Sequence, residues 1–120
     1  MSKPKFTSAL SVISGGIDGY NLHLTTCFCD AERAGKFSTS EHVGCAIVTS
    51  VEYWEHVDIT VLVVDCEFAM KRNQYFSDLG YGYDHKFIPH LTIGKGDLTS
   101  CFGFMVGEEM ILGNEYARIY

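Results

Sequence analysis

The sequence lacks long apolar runs. No stretch approaches the roughly 20 apolar residues of a transmembrane helix. The basic start, Met1-Ser2-Lys3-Pro4-Lys5, is followed by residues among which serine and glycine recur, so the apolar segment of a signal peptide is missing as well. We therefore expect a soluble protein of the cytoplasm, with no membrane as its partner.

Basic residues are few and scattered. Nine Lys and Arg residues stand against fifteen Asp and Glu residues, the formal net charge is -6, and no basic run is longer than Lys71-Arg72. Proteins that bind duplex or long single-stranded nucleic acid usually cluster Lys and Arg along the phosphate backbone. The composition therefore argues against a long nucleic acid as partner, whereas a small phosphorylated ligand in a pocket is compatible with it.

Closely spaced cysteine pairs are also scarce. Cys27 and Cys29 are separated by one residue, whereas zinc sites usually space paired cysteines two to four residues apart and add a second pair. The five cysteines are an odd number in a chain without a secretion signal, which predicts reduced thiols rather than disulfides. We expect no bound metal and no cofactor.

The patterns that are present predict an α+β fold in a single domain over residues 1–120. Residues 44–54 and 59–64 are rich in Val, Ile, Thr and Tyr and predict a hairpin whose second strand is central. Apolar side chains at helical spacing predict a helix over residues 67–79. Further strands are predicted at 20–29, 102–106, 110–112 and 115–120, and residues 6–13 form a strand or a covering segment.

The tripeptide His-Leu-Thr occurs twice, each time inside an apolar run. His23 and Thr25 form the first pair, and His90 and Thr92 form the second. In an extended strand, residues i and i+2 share a face, so each strand presents one imidazole and one hydroxyl while its leucine points to the core. If the two strands are neighbours, the four side chains line one pocket. A single strand histidine followed by threonine is usually structural.

Two histidines suit metal-free chemistry on a phosphodiester. An unperturbed imidazole titrates near pH 6.5, so one can accept a proton from the attacking hydroxyl while the other donates to the leaving oxygen. Threonine hydroxyls can donate hydrogen bonds to the non-bridging phosphate oxygens, where charge grows in the transition state. The repeated motif therefore predicts an acid–base pair.

The chain resembles the two-histidine (2H) phosphoesterase superfamily along most of its length. The likeness is greatest to the phage anti-CBASS phosphodiesterases, through the segments 80–84, 87–93 and 111–115. The resemblance implies two lobes with antiparallel sheets flanking a central cleft, related by a pseudo-twofold repeat. It also implies that His23, Thr25, His90 and Thr92 are catalytic, and that the substrate is a cyclic oligonucleotide messenger of bacterial immunity.

The same resemblance supplies two substrate contacts. Trp54 matches an aromatic that stacks on a base, and Glu115 matches a carboxylate that reads a base edge; the other readings are a packed tryptophan and a solvated strand charge. Lys95 could attract phosphate or be a loop lysine, and Tyr81 and Tyr83 could close over a ligand from a glycine-rich loop.

Two alternative functions remain open at this point. One is an RNA-end or 2',3'-cyclic phosphodiesterase of the ligase-like 2H type, which the scarcity of clustered basic residues disfavours for a tRNA-sized substrate. The other is a sponge that binds a nucleotide messenger without cutting it, which would not need an acid–base pair. A phage enzyme would act in the cytoplasm of an infected bacterial host.

Overall fold

The computed structural model describes residues 4–30, 36–81 and 86–119. It contains six strands, which are mostly long, and two helices. None of the helices in these ranges is long and apolar enough to span a membrane. The elements, in chain order, are β1 (Lys5–Ser14), β2 (His23–Asp30), β3 (Gly44–Trp54), a 3-10 turn (Glu55–Val57), β4 (Ile59–Asp65), α1 (Glu67–Asp78), β5 (His90–Lys95), α2 (Thr99–Phe102), a second 3-10 turn (Gly103–Met105) and β6 (Glu109–Ile119).

The strands form an antiparallel sheet that closes on itself in the order β1-β2-β5-β4-β3-β6. The α+β class is therefore confirmed, while the described strands make one closed sheet where two separate sheets were expected. Closure is thin at one place, because β2 and β5 are joined through the single residue pair Leu24 and Leu91. We call this junction the seam.

The hairpin and the helix follow the sequence prediction closely. Asp58 ends the turn between β3 and β4 in the left-handed conformation, with φ 52°, and β4 lies between β3 and β5 as a central strand. The side chain of Cys66 caps α1 by accepting a hydrogen bond from the Ala69 backbone N–H at 3.4 Å. Ala69 and Phe76 are the fully buried residues of the helix.

The strand predicted at residues 102–106 is wrong. This segment forms the end of α2 and the 3-10 turn, because Phe102 and Met105 are the buried residues and lie three apart, the spacing of a helical turn. Phe104 and Val106 are exposed. The two short strands predicted after it are parts of one continuous strand, β6.

Two groups of three strands have corresponding registers: β6, β1 and β2, the first half, and β3, β4 and β5, the second half. Next to the seam, Leu24 of β2 lies opposite Leu10 of β1, and Leu91 of β5 lies opposite Leu62 of β4. Beyond this point, β2 and β5 each contain one extra residue that has no partner on the adjacent strand, β1 or β4. The register shifts at residues 8 and 9 of β1 and at residues 60 and 61 of β4, so the bulged residues are 26 and 93.

Candidate active site

The two His-Leu-Thr strands meet at the seam. Leu24 and Leu91 are fully buried there and lie opposite each other in an antiparallel pair. An antiparallel register through this pair sets His23 across from Thr92 and Thr25 across from His90, all on the face away from the leucines. The two strands are neighbours, as predicted, and this register puts the four side chains on one face. Thr25 and His90 line the cavity described below, whereas His23 and Thr92 do not line it.

The ring of His90 is oriented by its own strand. Its Nδ1 lies 2.7 Å from the backbone carbonyl oxygen of Ile88, two residues earlier. A carbonyl oxygen only accepts, so the Nδ1–H donates and the tautomer is fixed. Nε2 is then the nitrogen that remains for proton exchange with a ligand.

Trp54 packs directly against His90. Their ring centroids are 4.5 Å apart and the rings are tilted by 56°. The indole Nε1–H donates to the Glu52 carboxylate at 3.2 Å, and the Ser50 hydroxyl donates to the other oxygen of that carboxylate at 2.6 Å. These hydrogen bonds, the one from Ser50 more than the one from Trp54, lower the pKa of Glu52. The tryptophan predicted from the sequence is therefore held beside one histidine by an ionised carboxylate.

A cavity of about 770 Å³ opens at this point, a volume within the usual range for small-molecule sites. A second cavity of about 360 Å³ adjoins it, and both are lined by Trp54, His56 and Ile88. The rings of Trp54 and His56 lie nearly parallel, at 25°, with centroids 6.3 Å apart. The larger cavity is lined by Thr25, Phe28, Trp54, His56, Val57, Lys86, Phe87, Ile88 and His90.

Sequence reasoning missed several of these lining residues. His56 lies in the polar turn after β3, where the sequence gives no signal of a site; it is exposed, and it lines both cavities. Phe28 was missed for a physical reason: the bulge at Thr26 inverts the alternation of β2, so that the exposed side chains change from odd to even positions. The one available signal for Lys86 and Phe87 was their position just before the second motif.

Tyr81 does not contact a ligand site. It is 1% exposed and its ring stacks on Phe6 with centroids 3.9 Å apart. Its backbone N–H donates to the Phe76 carbonyl at 2.9 Å, while Gly80, with φ 94°, donates to Ser77 at 3.0 Å. This is the Schellman ending of α1, in which the residue after the glycine packs back on the helix. The prediction that Tyr81 closes over a ligand is therefore wrong.

Glu115, likewise, forms an ion pair with Arg72 away from the cavities at Trp54. Its side chain is fully buried, and Arg72 of α1 donates to the carboxylate from Nη2 at 2.6 Å and from Nε at 2.9 and 3.1 Å. The Ser40 backbone N–H donates to the same carboxylate at 3.1 Å. Asn114 has φ 49° and lies in the irregular stretch of β6, which brings Glu115 onto the helix side. The carboxylate thus ties α1 to β6 and does not line either cavity at Trp54.

The remaining two predicted contacts have different outcomes. Tyr83 lies outside the described residues. Lys95 is exposed at the end of β5, opposite Ile59, and does not line the cavity at His90.

The paired cysteines show what burial does to a thiol. Cys27 and Cys29 are buried with their sulfurs 4.0 Å apart, and the Cys27 thiol donates to the Tyr81 carbonyl at 3.2 Å. Burial, then the neighbouring Cys29, raises the pKa of Cys27 to about 12. All five cysteines are free thiols, as expected. Within the described ranges, no group of three or more His, Cys, Asp or Glu side chains is arranged to hold a metal ion.

Neither a scan against protein-family models nor a search of curated proteins finds a match to this chain.

Proposed function

We propose that this protein is a metal-independent phosphodiesterase of the two-histidine type that hydrolyses cyclic oligonucleotide immune messengers and so counteracts CBASS defence in an infected bacterial cell. The observation that carries the proposal is the pairing of the two His-Leu-Thr strands at the seam. That pairing gives a phosphodiester one imidazole and one hydroxyl from each side, from a backbone held by sheet hydrogen bonds.

The corresponding registers support the two-lobed fold that belongs with this function. Exchanging β1, β2 and β6 for β4, β5 and β3 reproduces the strand order of the sheet and superimposes the two motifs. The bulged residues, Thr26 and Ile93, also coincide under this exchange. Each half is then one lobe, and the pseudo-twofold axis passes between Leu24 and Leu91.

The reaction needs two proton transfers, and two imidazoles supply both. For a 3',5' linkage, the neutral histidine takes the proton of the neighbouring ribose 2'-OH or of a water molecule, whose oxygen bonds to phosphorus. The bond from phosphorus to the 5' oxygen breaks, and the protonated histidine gives its proton to that oxygen. Thr25 and Thr92 donate hydrogen bonds to the non-bridging oxygens as their negative charge grows.

The surroundings of the seam favour a nucleotide over a bare phosphate ester. Trp54 and Phe28 offer aromatic faces within the cavity that contains His90 and Thr25. Lys86 lines the same cavity and supplies a cation for a phosphate group. A ligand that fills this cavity therefore carries both a base and a phosphate.

The test is a panel of cyclic di- and trinucleotides incubated with the protein in EDTA, with the products separated by chromatography. Linear products that disappear in the His23→Ala/His90→Ala double variant, and persist in the exposed-histidine control His42→Ala, would support the proposal. Ligand recovered intact after denaturing the protein would instead indicate a sponge. If the panel is neither bound nor cut, turnover of an RNA 2',3'-cyclic end would indicate the RNA-end hydrolase.

A further inference from the structure

The smaller cavity beside Trp54 contains a carboxylate in a position to contact a ligand. Glu52 lines this cavity together with Trp54, His56, Val63 and Ile88. Trp54 and His56 also face the larger cavity at His90. A nucleotide whose phosphate lies at His90 can therefore extend its base past the indole towards Glu52.

The carboxylate of Glu52 is positioned by two hydrogen bonds. It accepts one from the Ser50 hydroxyl on Oε2, at 2.6 Å, and one from the Trp54 indole on Oε1, at 3.2 Å. A carboxylate oxygen has two lone pairs, so each oxygen keeps one for a ligand. The same hydrogen bonds lower the pKa of Glu52, so the group is ionised at neutral pH and can only accept.

Only one common base offers two adjacent donors to such a group. The Watson–Crick edge of guanine presents N1–H and the N2 amino group side by side, which matches the two oxygens of a carboxylate. Adenine places the acceptor N1 beside its amino group, cytosine places the acceptor N3 beside its own, and uracil flanks its single N–H with two carbonyl oxygens. Facing a carboxylate, these acceptors would lie against negative charge and lose their partners in water.

We propose that Glu52 determines the base specificity of this site, accepting hydrogen bonds from N1–H and N2–H of a guanine stacked on Trp54. The inference rests on the proposed phosphodiesterase function for its substrate class, and it narrows that class to cyclic oligonucleotides that contain guanine. The role that the resemblance gave to Glu115 falls to a residue two positions before the stacking tryptophan.

Two readouts test the inference separately from the function. Trp54 is the only tryptophan of the chain, so its fluorescence reports stacking without any turnover. We expect GMP to quench this fluorescence with an affinity at least about tenfold higher than AMP, the effect of hydrogen bonds to a charged group. We expect the same order in kcat/KM for cyclic diguanylate over cyclic diadenylate.

The Glu52→Gln variant tests most directly whether the carboxylate sets the base preference. Its amide oxygen can still accept from the Trp54 indole, but the amide cannot accept from two guanine donors. The guanine preference should fall to within about threefold in both readouts, mainly through KM. Glu55→Gln, an exposed residue that lines neither cavity, is the matched control and should keep the preference.

The outcomes separate the two proposals. Guanine-selective quenching without cleavage would leave this inference standing and overturn the phosphodiesterase function. Cleavage or quenching that does not prefer guanine, or a preference that survives Glu52→Gln, would overturn the role of Glu52 alone.

Discussion

The two halves of the sheet share their backbone plan and differ in what they present to a ligand. Each half places one His-Leu-Thr strand at the seam and one bulge just beyond its threonine. In the second half, Trp54 lies opposite Ile59, which lies opposite Lys95. In the first half, Arg118 takes the place of Trp54, and Phe28 takes the place of Lys95.

The shared backbone register determines where the two histidines lie, whereas the side chains around them differ between the halves. The cavity at His90 is walled by Trp54 and Phe28. The same construction around His23 would be walled by Arg118 and Lys95, two cations. The matched registers therefore relate the two histidines to each other. The unmatched side chains differ: Trp54 and Phe28 form an aromatic side, whereas Arg118 and Lys95 take the equivalent positions and form a basic side.

The largest expected effect is the loss of activity when either histidine is removed. His23→Ala and His90→Ala should each lower kcat by about 10²–10⁴-fold, because each removes one of two proton transfers in a single step. The double variant should be no more than about tenfold worse than the slower single variant, since residues that act as a unit are not additive. Steady-state rates across pH, with His42→Ala as control, give the measurement.

The pH profiles also distinguish the two roles. The variant without the general base should lose the acidic limb of the bell-shaped profile, and the variant without the general acid should lose the alkaline limb. Multiplicative losses in the double variant, or a histidine that can be replaced at no cost, would contradict a shared acid–base step.

The second prediction compares the irregular stretches of the two outer strands. In β6 the irregularity brings Glu115 into contact with Arg72, whereas in β3 it lies at Thr49, which is exposed. Glu115→Ala should reduce the free energy of unfolding by about 3–5 kcal/mol, because it leaves a largely buried guanidinium unpaired. Thr49→Ala should stay within about 0.5 kcal/mol of the parent chain. Urea unfolding measures both, and a stable Glu115→Ala variant with altered base preference would return Glu115 to the ligand site.

The sequence was sufficient for the elements whose patterns are local. The apolar run of β4 and the helical spacing of α1 are both confirmed, and the two His-Leu-Thr strands are neighbours as expected. The first two features depend on propensity, period and capping within a few residues of chain, whereas the adjacency of the two strands was expected from the repeated motif. The face that the His and Thr side chains share could also be predicted locally, since the alternation of His, Leu and Thr is undisturbed over three residues.

What the sequence could not predict depends on partner strands. The bulge at Thr26 decides that Phe28 faces the cavity, and it exists only because β1 skips a residue opposite it. The αL conformation of Asn114 turns Glu115 onto Arg72, a contact between residues 43 positions apart. Tyr81 is buried, although its neighbourhood is rich in glycine, because its ring stacks on Phe6 of β1. Each of these outcomes requires a long-range contact that no local pattern contains.

The third prediction concerns the buried hydroxyls at the two equivalent bulges. Thr60 of β4 donates to the Gly96 carbonyl at 2.6 Å and accepts from the Leu98 N–H at 2.8 Å, whereas Ser8 of β1 exchanges one hydrogen bond with Thr26 at 2.6 Å. Thr60→Val should cost about 1–3 kcal/mol of unfolding free energy, because two polar groups lose their partner. Ser8→Ala should cost less, since it removes one hydrogen bond. Equal costs in urea unfolding would mean that the two bulges are held alike.

The smallest expected effect tests the basic side of the site. Lys95→Gln should raise KM by about two- to fivefold at low ionic strength, because an exposed charge contributes little and mainly attracts the ligand's phosphate. The difference should shrink towards zero as salt is raised and the Debye length falls. Lys71→Gln, which removes an equal charge from α1, is the matched control. If Lys95→Gln and Lys71→Gln change KM alike at low salt, Lys95 acts only through net charge, and the contrast between an aromatic and a basic side would then rest on Arg118 alone.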